Sequence, residues 1–192
     1  MIQTKKDLKN YIAKDYAMNL GDTNMVSYVF KRLYLTDGMM AFLYLKTLRK
    51  YEYAINCTSG LWGWIIKTYR KWKWHRACIK YNISIAPNII GPGLWIPHVI
   101  GGGVIVNCFS MGSNCSINTN VLVGNKDSYD AKPIIGNNVF LSTGSMVIGS
   151  IKIGDNVIVA PNAVVNKDVP SNCIVGGVPA KIIKYLDSNE KS

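Results

Sequence analysis

Histidine is scarce in this sequence: His75 and His98 are the only two. That is too few for a site built on three imidazoles, so no metal centre is expected. Cysteine is sparse as well. The five present are odd in number and contain no C-x-x-C pair, so they form no disulfide framework and predict a reducing compartment. No stretch of about 20 apolar residues runs uninterrupted, which excludes a transmembrane helix, and the polar opening Met1-Ile-Gln-Thr-Lys-Lys6 does not read as a secretory signal. The expected location is the cytoplasm. Acidic side chains are also few: 11 Asp or Glu against 22 Lys or Arg give a net charge of +11. Residues 1–81 hold 15 of the cations and 5 of the anions, and residues 82–192 hold 7 and 6, so the excess is almost all N-terminal.

What the second part does have is a beat of six. Ile135, Leu141, Val147, Ile153, Val159 and Val165 follow one another at six-residue steps. Helices repeat their buried face every 3.6 residues and strands every 2, so a period of six means short strands turning corners at regular intervals. Ile105, Met111, Ile117 and Val123 carry the same beat, and Ile90 with Ile96 makes an earlier pair. Three hexads make one coil of a triangular prism with the aliphatics inside, each worth roughly 1.5–3 kcal/mol when buried. Five to six coils fit between residues 83 and 183. A small residue usually follows the aliphatic, as in Ile90-Gly91, Met111-Gly112 and Ile135-Gly136, and suits a tight corner or a positive φ. The step from Ile96 to Ile105 is nine, and His98 lies in that break.

The repeat, the segment Gly91-Pro-Gly-Leu-Trp-Ile-Pro-His98, the run Lys132-Pro-Ile-Ile-Gly-Asn-Asn-Val139 and the closing stretch from Lys167 to Lys181 together resemble the hexapeptide-repeat acyltransferases. The resemblance is to their serine acetyltransferase-like branch, which includes capsular and exopolysaccharide O-acetyltransferases, and it covers about residues 83–186. It implies a mainly β fold, a left-handed parallel β-helix over residues 82–192, preceded by a basic helical region over residues 1–81. It also implies acetyl-CoA as co-substrate and a homotrimer whose active sites lie between subunits. His98 falls on the family's catalytic histidine. Imidazole titrates near neutral pH and suits removal of a proton from an attacking hydroxyl.

Two positions depart from the serine-specific pattern. Ser84, in Ser84-Ile-Ala-Pro87, stands where the family's D-I-H-P carries an aspartate that orients the histidine. Asp130-Ala-Lys-Pro133 keeps the aspartate of D-R-H-P but has Lys132 in place of its histidine. Ser84, Asp130 and Lys132 are accordingly candidates for acceptor binding, and the departures favour a sugar hydroxyl as acceptor. Serine O-acetylation is the alternative, and a non-catalytic β-helix scaffold a third reading. For the donor the resemblance points to Asn125, Thr143 and Pro161 at coil corners, and to Lys167 and Lys181 for the phosphates of coenzyme A. The polar stretch Asn125–Lys132, with Asp127, Tyr129 and Asp130, reads as a loop extruded from the prism that shapes the acceptor pocket.

Helical spacing marks the N-terminal part: Met39, Phe42, Leu43, Lys46 and Leu48 on a helix from about Asp37 to Tyr53, and Leu61, Ile65, Tyr69 and Trp72 on another. Asp37-Gly38 and Thr58-Ser-Gly60 read as start or turn signals. In the run from Leu61 to Arg76, aromatics alternate with cations. Such a pattern suits a membrane surface, which makes peripheral association with the inner face of the membrane an expectation. The competing reading packs the aromatics against the prism or a trimer neighbour. No nucleic-acid reader motif is present, so no nucleic-acid partner is expected.

Overall fold

The computed structural model describes residues 1–21, 24–126, 128 and 130–186. Four helices come first: α1 (Lys5–Leu20), α2 (Met25–Tyr34), α3 (Asp37–Cys57) and α4 (Gly60–Tyr81). Short strands follow: β1 (Ile83–Ile85), β2 (Val104–Val106), β3 (Ser110–Met111), β4 (Ser116–Ile117), β5 (Val121–Gly124), β6 (Ile134–Ile135) and β7 (Phe140–Leu141). The series ends with β8 (Met146–Ile148), β9 (Lys152–Ile153), β10 (Ile158–Val159), β11 (Val164–Val165), β12 (Cys173–Gly177) and β13 (Ala180–Tyr185). Thr4 starts α1 through a capping box with Asp7, and α3 and α4 begin at the two expected turn signals.

The strands stack as the three faces of a left-handed parallel β-helix. The first face is β1-β2-β5-β8-β11, the second β3-β6-β9, and the third β4-β7-β10-β12, which the antiparallel β13 closes. Ile90 and Val169 extend the second face, and Trp95 the third, through single bridges. Val147 pairs with Val165, Leu141 with Val159 and Ile135 with Ile153. Each pair is three hexads apart, and all six side chains point inward at 3% exposure or less. The beat is therefore a stack of coil interiors.

Three expectations need correcting. Ile105 is not an inward position: Val104 and Val106 are buried on either side of it, and Ile105 faces out at 54% exposure. A strand alternates sides, and register with β5 places Val106 against Val123, one residue later than the beat assumes. Positive φ is also not the reason for the glycines after the aliphatics. A Cβ on Gly91 would lie 2.7 Å from the Gly112 backbone, one on Gly112 2.6 Å from the Gly136 carbonyl oxygen, and one on Gly136 2.8 Å from the Gly154 backbone. Those four form a column in which each leaves room for the next coil. Left-handed backbone is instead taken mostly by asparagine, including Asn114, Asn138, Asn156 and Asn172 on one corner. Asn138 donates its side-chain amide to Asn156, and Asn156 donates to Asn172, at 2.9 and 2.7 Å.

The third correction concerns α4. Its stripe of Leu61, Ile65, Tyr69 and Trp72 does not pack against the prism of its own chain: these four side chains point away from it and are 43–74% exposed. Gly63 and Ala77 form the inward side, with Tyr81 and the half-buried Trp74, whose ring stacks on Tyr51 at 5.4 Å. Small residues on that side let α4 lie close to the end of α3, so the bulky ones are left outside. The α3 helix itself buries Met39, Phe42, Leu45 and Leu48 as its spacing predicts.

Candidate active site

His98 lies between the third face of the first coil and the first face of the second, where Ile96 and Val106 are ten residues apart instead of six. Its side chain is exposed. Backbone groups in such an excursion lose the coil ladder and need other partners. The helices provide them. Asn19 accepts from Ile96 N–H at 3.1 Å and donates to the Leu94 carbonyl at 2.7 Å. Asp15 accepts from Gly93 and Leu94 N–H at 2.8 and 3.2 Å. Asp37 accepts from Val99 and Ile100 N–H at 2.8 and 2.9 Å, through one oxygen, Oδ1.

Behind Asp15 stands Arg49, fully buried in α3. Its guanidinium donates to Asp15 at 2.8 Å, to Glu52 at 3.1 Å, and to the carbonyls of Ile90 and Gly91 at 2.9 and 2.7 Å. Glu52 in turn accepts from Asn88 N–H at 2.8 Å. Burial opposes the charge on Arg49, but Asp15 and then Glu52 more than offset it, and the guanidinium is held even more firmly protonated than usual. None of Asp15, Asn19, Arg49 or Glu52 stands out in the sequence. They are single polar positions on helices whose targets in the first coil lie 36 to 79 residues away. Asp37 is visible only as a helix start.

The other candidates fall along the two edges of the first face. Thr143 and Pro161 occupy the same corner column as His98, following the third face, and Asn162 N–H donates to the Thr143 carbonyl across one coil. Asn125, Asp130 and Lys132 lie between β5 and β6 on the opposite edge, and Lys167 lies on that same edge two coils later. The expected donor residues are thus divided between two corners. β5 ends at Gly124 and β6 begins at Ile134, and between them Asn125 donates to the Ser128 carbonyl. Asp127 and Tyr129 lie outside the described residues. Ser84 faces outward from β1 in a shallow groove of about 460 Å³ with Asn82, Ile105, Asn120 and Leu122, and His98 is not among its lining residues. Lys181 is exposed on β13. One chain therefore does not gather His98, Ser84 and Lys132 into one cluster. Among the described residues no group of His, Cys, Asp and Glu could hold a metal ion, and no helix is long and apolar enough to cross a membrane.

Residues 132–167 match the family model described as bacterial transferase hexapeptide (six repeats). The chain is 32% identical to a serine acetyltransferase of Buchnera aphidicola over 98% of its own length and 75% of that protein's. It is 35% identical to the serine acetyltransferase of Synechococcus elongatus over 57% of its length and 46% of the relative's. Among solved structures it resembles the serine acetyltransferase of Brucella abortus, with a TM-score of 0.72 and 25% identity over 94% of this chain and 70% of that one. Soybean serine acetyltransferase apoenzyme gives 0.72 and 26% over 93% and 70%. These relatives overturn the expectation of a sugar hydroxyl as acceptor, which rested on Ser84 and Lys132: a chain carrying both still aligns over 98% of its length with a serine acetyltransferase. The repeat, the prism it folds into and the near full-length relatedness lead to one conclusion: this chain is an acetyl-CoA-dependent acyltransferase of the hexapeptide-repeat class and belongs to the serine acetyltransferase family.

Proposed function

We propose that the protein is a serine O-acetyltransferase in which His98 is the general base. The observation that carries this reading is the 32% identity to a serine acetyltransferase across 98% of the chain. In the reaction, imidazole takes the proton of the serine hydroxyl as its oxygen attacks the thioester carbonyl of acetyl-CoA. The tetrahedral oxyanion is met by backbone N–H groups of the coil turns. Collapse breaks the carbon–sulfur bond, and the imidazolium returns the proton to the leaving thiolate. No covalent enzyme intermediate is needed.

The division of candidate residues between two edges of the first face supports a homotrimer in which a neighbouring prism completes each site. His98, Thr143 and Pro161 then meet Asn125, Asp130, Lys132 and Lys167 of the adjacent subunit. Lys167 and Lys181 serve the phosphates of coenzyme A, and Ser84, Asp130 and Lys132 the acceptor. Residues 1–81 and 82–192 act as a helical unit and a catalytic unit. The enzyme works in the cytoplasm, where acetyl-CoA is available. The outward stripe of α4, flanked by Lys71, Lys73 and Lys80, supports contact with the inner face of the membrane.

Mass-spectrometric detection of O-acetylserine from acetyl-CoA and L-serine tests the reaction. His98→Ala is expected to lower the rate by about 10²–10⁴. Absence of product from the wild-type trimer, or an unchanged rate in the variant, refutes the assignment.

A further inference from the structure

The segment that carries His98 is held from both sides, and the second hold has no counterpart in the coil pattern. Upstream, Asn19 of α1 fixes Leu94 and Ile96. Downstream, the carboxylate of Asp37 takes the N–H groups of Val99 and Ile100. Only Pro97 and His98 remain between these anchors, and proline fixes its own φ. Beyond the bridge of Trp95 to the next coil, the two residues that include His98 are thus bracketed by two helix side chains.

Asp37 is suited to this in three ways. It is the first residue of α3, where the helix dipole favours a carboxylate. Its bonds to two amides are charge-assisted and short. It is also brought close by its neighbour: a Cβ on Gly38 would collide with the Asn19 carbonyl oxygen, so glycine lets the start of α3 lie against the end of α1. The two anchors are therefore one unit, with Asn19 and Asp37 joined through a contact that excludes any side chain.

We propose that Asp37 is the positioning residue for His98, holding it through the backbone of Val99 and Ile100. The proposal rests on the reading of His98 as the base. A misplacement of about 1 Å in a catalytic group costs on the order of 10² in rate.

Asp37→Ala is expected to lower kcat about 100-fold with the KM for acetyl-CoA within twofold of wild type, and to speed amide exchange at Val99 and Ile100. Asp37→Asn keeps an oxygen at the accepting position and is expected to stay within tenfold of the wild-type kcat. Asp37→Glu keeps the charge and the helix start but moves the carboxylate out by one methylene, so it is expected to behave like the alanine variant; it also serves if that variant does not fold. The proposal is overturned if Asp37→Ala and Asp37→Glu retain kcat within threefold, if amide exchange at Val99 and Ile100 is unchanged, or if Asp37→Asn is as slow as Asp37→Ala. A wild-type protein that makes no O-acetylserine refutes the serine reading alone, and the exchange rates still decide whether Asp37 holds the segment.

Discussion

Replacing Arg49 by methionine keeps a long, unbranched side chain in place but takes away the cation between two buried carboxylates. Asp15 and Glu52 are 0% and 2% exposed, and Arg49 reaches them at 2.8 and 3.1 Å while also donating to Ile90 and Gly91. Asp15 retains the N–H groups of Gly93 and Leu94, and Glu52 retains that of Asn88, so each carboxylate stays partly solvated by protein. What remains uncompensated is charge, together with the Ile90 and Gly91 carbonyls that lose their donor. Breaking a buried pair from one side costs about 3–5 kcal/mol. In a chain of this size each kcal/mol moves Tm by roughly 2–4 °C, so Arg49→Met is expected to lower Tm by about 6–20 °C in circular-dichroism melts. Adding Asp15→Asn and Glu52→Gln removes the stranded charges and is expected to recover part of that loss. A drop below about 2 °C in Arg49→Met, or no recovery in the triple variant, would refute the argument that charge balance in this network holds α1 and α3 to the first coil.

Three further outcomes follow from packing and burial. Gly136→Ala places a Cβ 2.8 Å from the Gly154 backbone, so neighbouring coils must shift; overpacking of that kind costs about 1–3 kcal/mol, and chemical denaturation of the variant is expected to show it. A midpoint equal to wild type would count against the glycine column as a spacing device. Burial pushes the Cys108 thiol up to about 12 and the Cys115 thiol up to about 11. Native protein treated with iodoacetamide at pH 8 should leave both unmodified, since the thiolate is the reacting form. Both folded values lie above the ordinary 9.0. Their stabilising effect is therefore complete below pH 9 and is lost as pH rises from there towards 12, and Tm measured across that range should fall.

Much of the prism was legible because a solenoid writes its geometry into a period. Ile135 to Val165 could be placed inside it without knowing any contact, since each hexad repeats the same environment. The slip at Ile105 shows where such reading ends. In Val104-Ile105-Val106 all three residues are apolar and β-branched, and only pairing with Val121-Leu122-Val123 decides which face in. Which way α4 turns its bulky stripe was not legible for a related reason. Its bulky stripe has the spacing of a core face, but Gly63 and Ala77 on the other side make the closer packing. His98 stands out in the sequence through its motif. The residues that hold its segment have no motif: Asp15, Asn19, Asp37 and Arg49 are each separated from their targets by tens of residues and follow no period.

These non-periodic residues gather at the first coil for a physical reason. In a β-helix every inner coil finds hydrogen-bond partners above and below, but the first coil has none on its outer side, and an open edge must be covered. At the far end the chain closes the third face by folding β13 back antiparallel onto β12. At the near end the cover is made of helix side chains: Tyr44 accepts from Ile85 N–H, Glu52 from Asn88, Asp15 from Gly93 and Leu94, and Arg49 donates to Ile90 and Gly91. A coil capped by side chains is released from the six-residue rule, because its backbone no longer has to match a coil on that side. The corner that carries His98 uses this freedom. It departs from the repeat where helices can supply the missing partners, so that capping the solenoid and holding the His98 segment are tasks of the same few residues.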